Sequence, residues 1–312
     1  MVVVRYPAEQ VAVVVERLAA LLASGGPAAD AWGRLAAFAD AEAEPQTRRR
    51  QKADTVPMEK RLAQAVAQGN NPASYLRHND HEAWRALGAL WQFTEQTGAP
   101  LGASLRQLAG GFRDLGASER EIAVALAGPA ATARLVMVLP FIGIALGSVL
   151  GFDTFGVLFG GVVGWMLLLV GTLLLLAAWW WNRALVSRAS RHPRTPGFGL
   201  DLVATGMSSG SDAHQVLAET AHTLRDFQLE RSGLDRAQPI IELAAAAGVA
   251  AGELLRGEAQ LERRQARTEA AQSAARLGTA LMLPLGACIL PAFLTLGVAP
   301  LLIAVLQQAM SQ

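Results

Sequence analysis

In a chain of 312 residues a formal charge of +1 suggests no nucleic-acid partner, which would call for a marked basic excess. Its single cysteine, Cys288, excludes an intrachain disulfide and a cysteine zinc cluster. Charge is also sharply partitioned. Between Leu135 and Trp181 only Asp153 is charged, and from Leu277 to Gln312 nothing is. A charge at the centre of a bilayer costs several kcal/mol, so such a partition is what a membrane imposes. The pattern predicts an all-α integral membrane protein. It has two helical-bundle modules, at 1–134 and 182–276, and three transmembrane helices, drawn from a hairpin at 135–181 and a last span within 277–312.

Along the first block, Val11, Val14, Val15, Leu18, Leu21 and Leu22 recur at helical spacing and predict a helix over 8–23. Ser24-Gly25-Gly26-Pro27 stops it, with glycine suited to a left-handed cap. A second helix is expected over 28–40. Residues 41–56 have no apolar face and read as a mobile loop. There Arg48, Arg49, Arg50 and Lys52 are either solvated or face anionic lipid headgroups or an acidic partner. Further helices fit 57–68, 80–97, 100–115 and 118–134. The opening MVVVRYPAEQ is broken too early, by Arg5 and Pro7, for a cleavable signal peptide.

The run 135–181 is too long for one crossing of a hydrocarbon core of about 30 Å. It is expected to fold back at Gly151-Phe-Asp-Thr-Phe-Gly156, giving spans over 135–151 and 156–181. Trp179, Trp180 and Trp181, followed by Arg183, mark an interface. After a linker at 187–197, helices fit 197–209, 212–231, 239–247 and 250–276. The last span holds Pro284 and Pro291 and is expected to end at Gly297 and Pro300, with 301–310 interfacial or re-entrant. Arg134, Arg183, Arg188, Arg191, Arg194 and Arg276 flank one side of the spans only. The positive-inside rule therefore predicts a multi-pass protein of the cell membrane with both blocks cytoplasmic and the C-terminus outside.

The blocks resemble each other. LLASGGPAADAW at 21–32 parallels GMSSGSDAHQVL at 206–217, and GAPLGASLRQLA at 98–109 parallels GVAAGELLRGEA at 248–259. In the second pair Gly98 meets Gly248, and Leu105-Arg106 meets Leu255-Arg256. ARLVMVLP at 133–140 parallels ARLGTALMLP at 275–284. Ala/Leu/Gly-rich helices can look alike by composition, but the turn glycines and the helix-to-span junction agree in order, so a duplicated helical module is expected, each copy leading into a span.

Chemistry-bearing constellations are few. Gly143, Gly147 and Gly151, then Gly156, Gly160 and Gly164, form two strips at i, i+4, i+8. Such strips let helix backbones approach closely, within the hairpin or against another subunit. Gly171 lies off the strips, and bulk there is expected to matter less than at Gly147 or Gly160. Asp153 reads as a hydrated turn residue, since no second ionisable group lies at its depth. In RHNDHEAW, Asn79 or Asp80 is expected to cap a helix, rather than His78, Asp80 and His81 binding a metal. Neither Lys52 nor Lys60 sits in GxxxxGK[ST], so no phosphate-binding loop is present, and GxSxG and HExxH are absent too. No catalysis, metal or cofactor is predicted. A transporter or channel subunit for small solutes is the other class considered, but it needs polar groups at midplane that these spans lack.

The layout resembles the type II secretion system F-domain family, the inner-membrane platform proteins of type II secretion, type IV pili and Tad/Flp pili. EREIAVALAGPAATARLVMVLPF at 119–141 and GWMLLLVGTLLLLAAWWWNR at 164–183 are similar to TadB-like proteins. LPLGACILPAFLTLGVAPLL at 283–302 is similar to the end of TadC-like proteins. The resemblance implies a non-enzymatic platform that couples a cytoplasmic secretion or pilus ATPase to pilin. It also implies contacts with membrane lipid and with itself or a paralogous platform protein. Charged helix faces are the expected ATPase contacts: Arg106 and Arg113 in the first module, Glu253, Arg256, Glu262 and Arg263 in the second.

Overall fold

A computed structural model of the chain describes residues 7–42, 57–149, 154–189 and 195–310. Every regular element among them is helical. The expected loop beyond residue 42, the turn at Asp153 and most of the linker before Thr195 lie outside the described residues.

The described helices are α1 (Pro7–Ala23), α2 (Ala28–Glu42), α3 (Met58–Ala67), α4 (Pro72–Leu76), α5 (Glu82–Thr97), α6 (Leu101–Val149), α7 (Thr154–Phe159), α8 (Val162–Ala189), α9 (Phe198–Met207), α10 (Ala213–Asp226), α11 (Leu234–Ala247), α12 (Ala251–Ala280) and, after an irregular stretch, α13 (Ala299–Met310). The predicted positions hold, with local differences. Helix α4 was not expected. Asn71 caps it, its side chain accepting from the Ala73 amide at 2.7 Å, and Pro72 fills the first position, where a missing N–H costs nothing. The expected break between 115 and 118 is absent. Gly116 lies inside α6, and a Cβ there would stand 2.8 Å from the Glu9 Cβ. This glycine serves close approach of α1, not a turn. At α5 the N-cap is His81, and Asn79 instead accepts the His81 amide at 2.9 Å.

The chain divides into two compact units, 1–120 with 193–268, and 121–192 with 269–312. In the first unit, residues of both blocks share one core, which includes Val15, Leu18, Trp32, Leu87, Phe93, Leu200, Val203 and Leu255. The two blocks, read from sequence as separate modules, are thus joined through a common interior. The reason lies in α5 and α9. Helix α9 is apolar nearly all round and must be covered on every side, and α5 offers a broad buried face that includes Trp84, Leu87, Trp91 and Phe93. Phe198 to Gly206 of α9 are buried except Asp201, and α9 packs on α10, α11 and, from the other block, α5.

The second unit pairs α8 with the stretch 282–298, and α7 with α8 and α13. Two helical runs are long and apolar enough to cross a membrane, Val162–Leu185 and Ala251–Leu306, the latter extending up from the polar block. Only 17% of the first one's apolar window is buried within the chain, unlike the core helix of a soluble protein. Trp165, Met166, Leu169, Leu173 and Leu176 of α8 all face outward. Of the expected first span, α6 supplies helical backbone to Val149. Along it Val138, Ile142 and Val149 are exposed, while Gly143, Gly147 and Gly151 fall outside the described residues.

The second glycine strip is not one continuous helix face. The helix breaks between Phe159 and Val162. A Cβ on Gly160 would meet the carbonyl of Gly156, and one on Gly164 the carbonyls of Val157 and Leu158. Gly156, Gly160 and Gly164 thus belong to a tight α7–α8 turn. The helix–helix contact sits instead at Gly171, where a Cβ would collide with the Leu296 side chain, its Cδ1 at 2.7 Å. Gly171→Leu, expected from sequence to matter less than bulk on the strips, should cost about 1–3 kcal/mol of overpacking. Thermal unfolding in detergent, compared with Gly161→Leu where a Cβ meets nothing within 4 Å, checks this.

Around Pro284 and Pro291 the helix widens into π turns at Leu285–Ile289 and Leu294–Val298. Proline lacks an N–H and crowds the carbonyl one turn back, and a wider turn accommodates both. The Thr295 hydroxyl donates to the carbonyls of Pro291 and Ala292, at 3.0 and 3.1 Å. The helical path then passes Gly297 and Pro300, where the sequence suggested an end, and runs to Met310.

Candidate functional site

The first unit contains the same ion pair twice. Helix α1 offers Glu16 and α6 offers Arg113, and the two are paired. In the second block Asp201 of α9 pairs with Arg263 of α12 at 2.6 Å. Glu16 and Asp201 stand in register with Leu21 and Gly206 of the sequence repeat, and Arg113 and Arg263 with Gly98 and Gly248. Backbone geometry agrees. Gly25 and Gly210 take φ of 83° and 78°, and Gly98 and Gly248 take 70° and 67°. Along α6 and α12 the inward stripe also repeats: Leu105 with Leu255, and Ala109 with Ala259, all buried.

The two pairs differ in cover. Glu16 and Arg113 are 51% and 54% exposed, whereas Asp201 and Arg263 are each 13% exposed. The covering group comes from the first block. The Gln107 amide donates to Asp201 at 2.8 Å, and its carbonyl accepts from Arg256 Nε at 3.1 Å. Arg256 also pairs with Glu253 at 2.9 Å. Burial pushes the Asp201 carboxyl above its ordinary 3.8, against the opposing pull of Arg263, Gln107 and Arg256.

Glu262 forms a second centre. On α12, Leu255, Ala259 and Glu262 share one face, so its carboxylate points inward, and Glu262 is 7% exposed. It lies where two helices begin. Gly197 is the N-cap of α9 and Gly233 that of α11, both in the left-handed region at φ 73° and 77°. The Gly197 amide favours the charged form of Glu262, and a Cβ on Gly233 would overlap the carboxylate. Only glycine gives both the backbone twist and the room. Arg236 pairs with Glu262 and reaches Glu258 at 2.6 Å. Burial, aided by Glu258, raises the Glu262 pKa, while Arg236 and the Gly197 amide oppose the rise.

Of the six charged residues expected to face a partner, the structure therefore engages five within the chain. Glu262 and Arg263 are interior, Arg256 is half-buried, and Glu253 and Arg113 are exposed but paired. Arg106 is exposed. The interior position of Glu262 was readable from the 255–259–262 spacing, since it stands in register with buried Phe112. Among the described residues no group of three His, Cys, Asp or Glu is placed to hold a metal ion. What these centres do chemically is hold helices from distant parts of the chain together. Comparison with known protein families, curated proteins and solved structures gave no match to this chain.

Proposed function

We propose that this chain is a non-catalytic inner-membrane platform of a Tad/Flp-type pilus or type II secretion machine, coupling a cytoplasmic ATPase to pilin. The observation that carries the reading is a duplicated helical unit whose two copies each pass, within a single helix (α6 and α12), into an apolar segment. The outward apolar surface of α8 supports membrane embedding, with lipid as its natural cover. The one-sided arginine flanks support cytoplasmic polar blocks and three spans, counting the one at 135–151. The sequence resemblance in 119–183 and 283–302 supports the machine.

The test uses Arg106, because charge reversal at Arg263 disrupts the fold itself. Arg106→Glu should abolish pilus assembly or secretion at normal protein level and reduce capture of the cognate ATPase by the purified chain. The purified chain alone should hydrolyse no ATP. A cysteine at Ser187, in a Cys288→Ala background, should label only after lysis. Intrinsic ATPase activity, intact pili and secretion in a deletion strain, or labelling of Ser187 from outside would each overturn the reading.

A further inference from the structure

The repeat shows which surface each copy offers to a neighbouring copy. Within the chain, copy one docks on copy two through α5 and α6. Phe93 is fully buried, and a Cβ on Gly206 of α9 would lie 3.0 Å from its Cζ. One helix on, Ser104 is buried, Gln107 covers the Asp201–Arg263 pair, and Gly111 lies against Arg263. The corresponding surface of copy two is left exposed among the described residues. In register with Phe93, Ser104, Gln107 and Gly111 stand Leu243, Leu254, Gly257 and Leu261. The three leucines are 61%, 37% and 44% exposed. From Leu243 to Gly252 no residue is charged, so the corner joining α11 to α12 continues the apolar stripe.

The receiving surface is open as well. The counterpart of the covered Asp201–Arg263 pair is the exposed Glu16–Arg113 pair, and the counterpart of Gly206 is Leu21, half-buried at the end of α1. One chain thus carries a complete docking surface at one end and a complete receptor at the other. Surfaces of that kind, different on the two partners, make a heterologous contact.

We propose that a second copy of this chain docks head to tail, its Leu243–Leu254–Leu261 stripe seating over Leu21 and the Glu16–Arg113 pair of its neighbour. The stripe supplies apolar cover for the aliphatic stem of Arg113 and for Leu21, in the place where Phe93 covers Gly206 and Gln107 hydrogen-bonds Asp201 within the chain. The proposal rests on the repeat and goes beyond the platform reading, and it can fail while that reading stands.

The experiment co-expresses two differently tagged full-length chains in a Cys288→Ala background, one with Leu243→Cys and the other with Leu21→Cys, and oxidises native membranes. A disulfide dimer carrying both tags, absent when both chains bear the same single cysteine, is the expected result. Leu254→Glu, added to the Leu243→Cys chain, should remove that dimer without lowering the protein level. Monomer throughout, a Leu243→Cys homodimer in place of the mixed one, or a mixed dimer unaffected by Leu254→Glu would overturn the proposal.

Discussion

Arg263→Ala should destabilise the first unit by about 3–5 kcal/mol, because it leaves the Asp201 carboxylate buried without its cation. For a unit of this size that is on the order of 10 °C in Tm, read by thermal unfolding of the detergent-solubilised full chain. The sign of its pH dependence is fixed. Asp201 already titrates above 3.8 in the folded chain, and removing Arg263 takes away the largest opposing influence, raising it further. A carboxyl whose folded pKa exceeds its unfolded value stabilises the protein where it is protonated and loses that contribution as pH rises through the folded pKa. The gap between wild type and Arg263→Ala should therefore be small at acid pH and widen toward neutrality. Asp201→Asn combined with Arg263→Ala should recover part of the loss at neutral pH, since no buried charge then lacks a partner. A gap that does not depend on pH, or a double variant as unstable as the two single losses added, would show that the pair carries no coupling. Arg113→Ala, at the exposed counterpart, should cost no more than about 1 kcal/mol.

Glu262→Ala should cost about 3 kcal/mol. The carboxylate lies against the N-cap glycine of α11, and the amide of the α9 N-cap favours its charge. Losing a cap costs roughly 1 kcal/mol for each helix, with the dipole and the vacated methylenes adding to it. Glu262→Gln keeps the shape and an acceptor oxygen but not the charge, so its loss should be smaller. Hydrogen exchange separates this from general loosening. Protection should fall first in the opening turns of α9 and α11. Uniform loss across the unit, or equal effects of Ala and Gln, would rule out the shared cap.

Much of the helical plan was legible because the sequence writes it in spacing and punctuation. Gly25, Gly98, Gly210 and Gly248 end helices where expected, all at positive φ. The position of charge in space was far less legible. Arg256, Glu262 and Arg263 look like a solvated helix face, since an outward charge and an inward, paired one have the same one-dimensional signature. Only the register of Glu262 with Leu255 and Ala259, or with Phe112 in the other copy, separates them. Glycines misled in a similar way. At Gly160 and Gly164 a membrane-helix strip and a tight turn share one spacing, and at Gly171 the neighbour that demands a glycine, Leu296, is distant in sequence. Helix α4 was too short for a periodic signal, though its Asn71-Pro72 start was visible.

The first unit is interrupted in the chain by residues 121–192 of the other, and this has a consequence for biosynthesis. Chains emerge N-terminus first. Phe93 and Gln107 leave the ribosome well before Gly206, Asp201 and Arg256 exist to receive them. The contact between Gln107 and Asp201 spans 94 residues, and that of Glu82 with Thr195 spans 113. Long closures of this kind are slow. Throughout the synthesis of residues 121–192, the nascent first block must therefore keep an uncovered apolar flank in the company of chaperones and proteases. Release at residue 192 should leave it there for good, making such a truncated product a substrate for degradation rather than a half-functional domain.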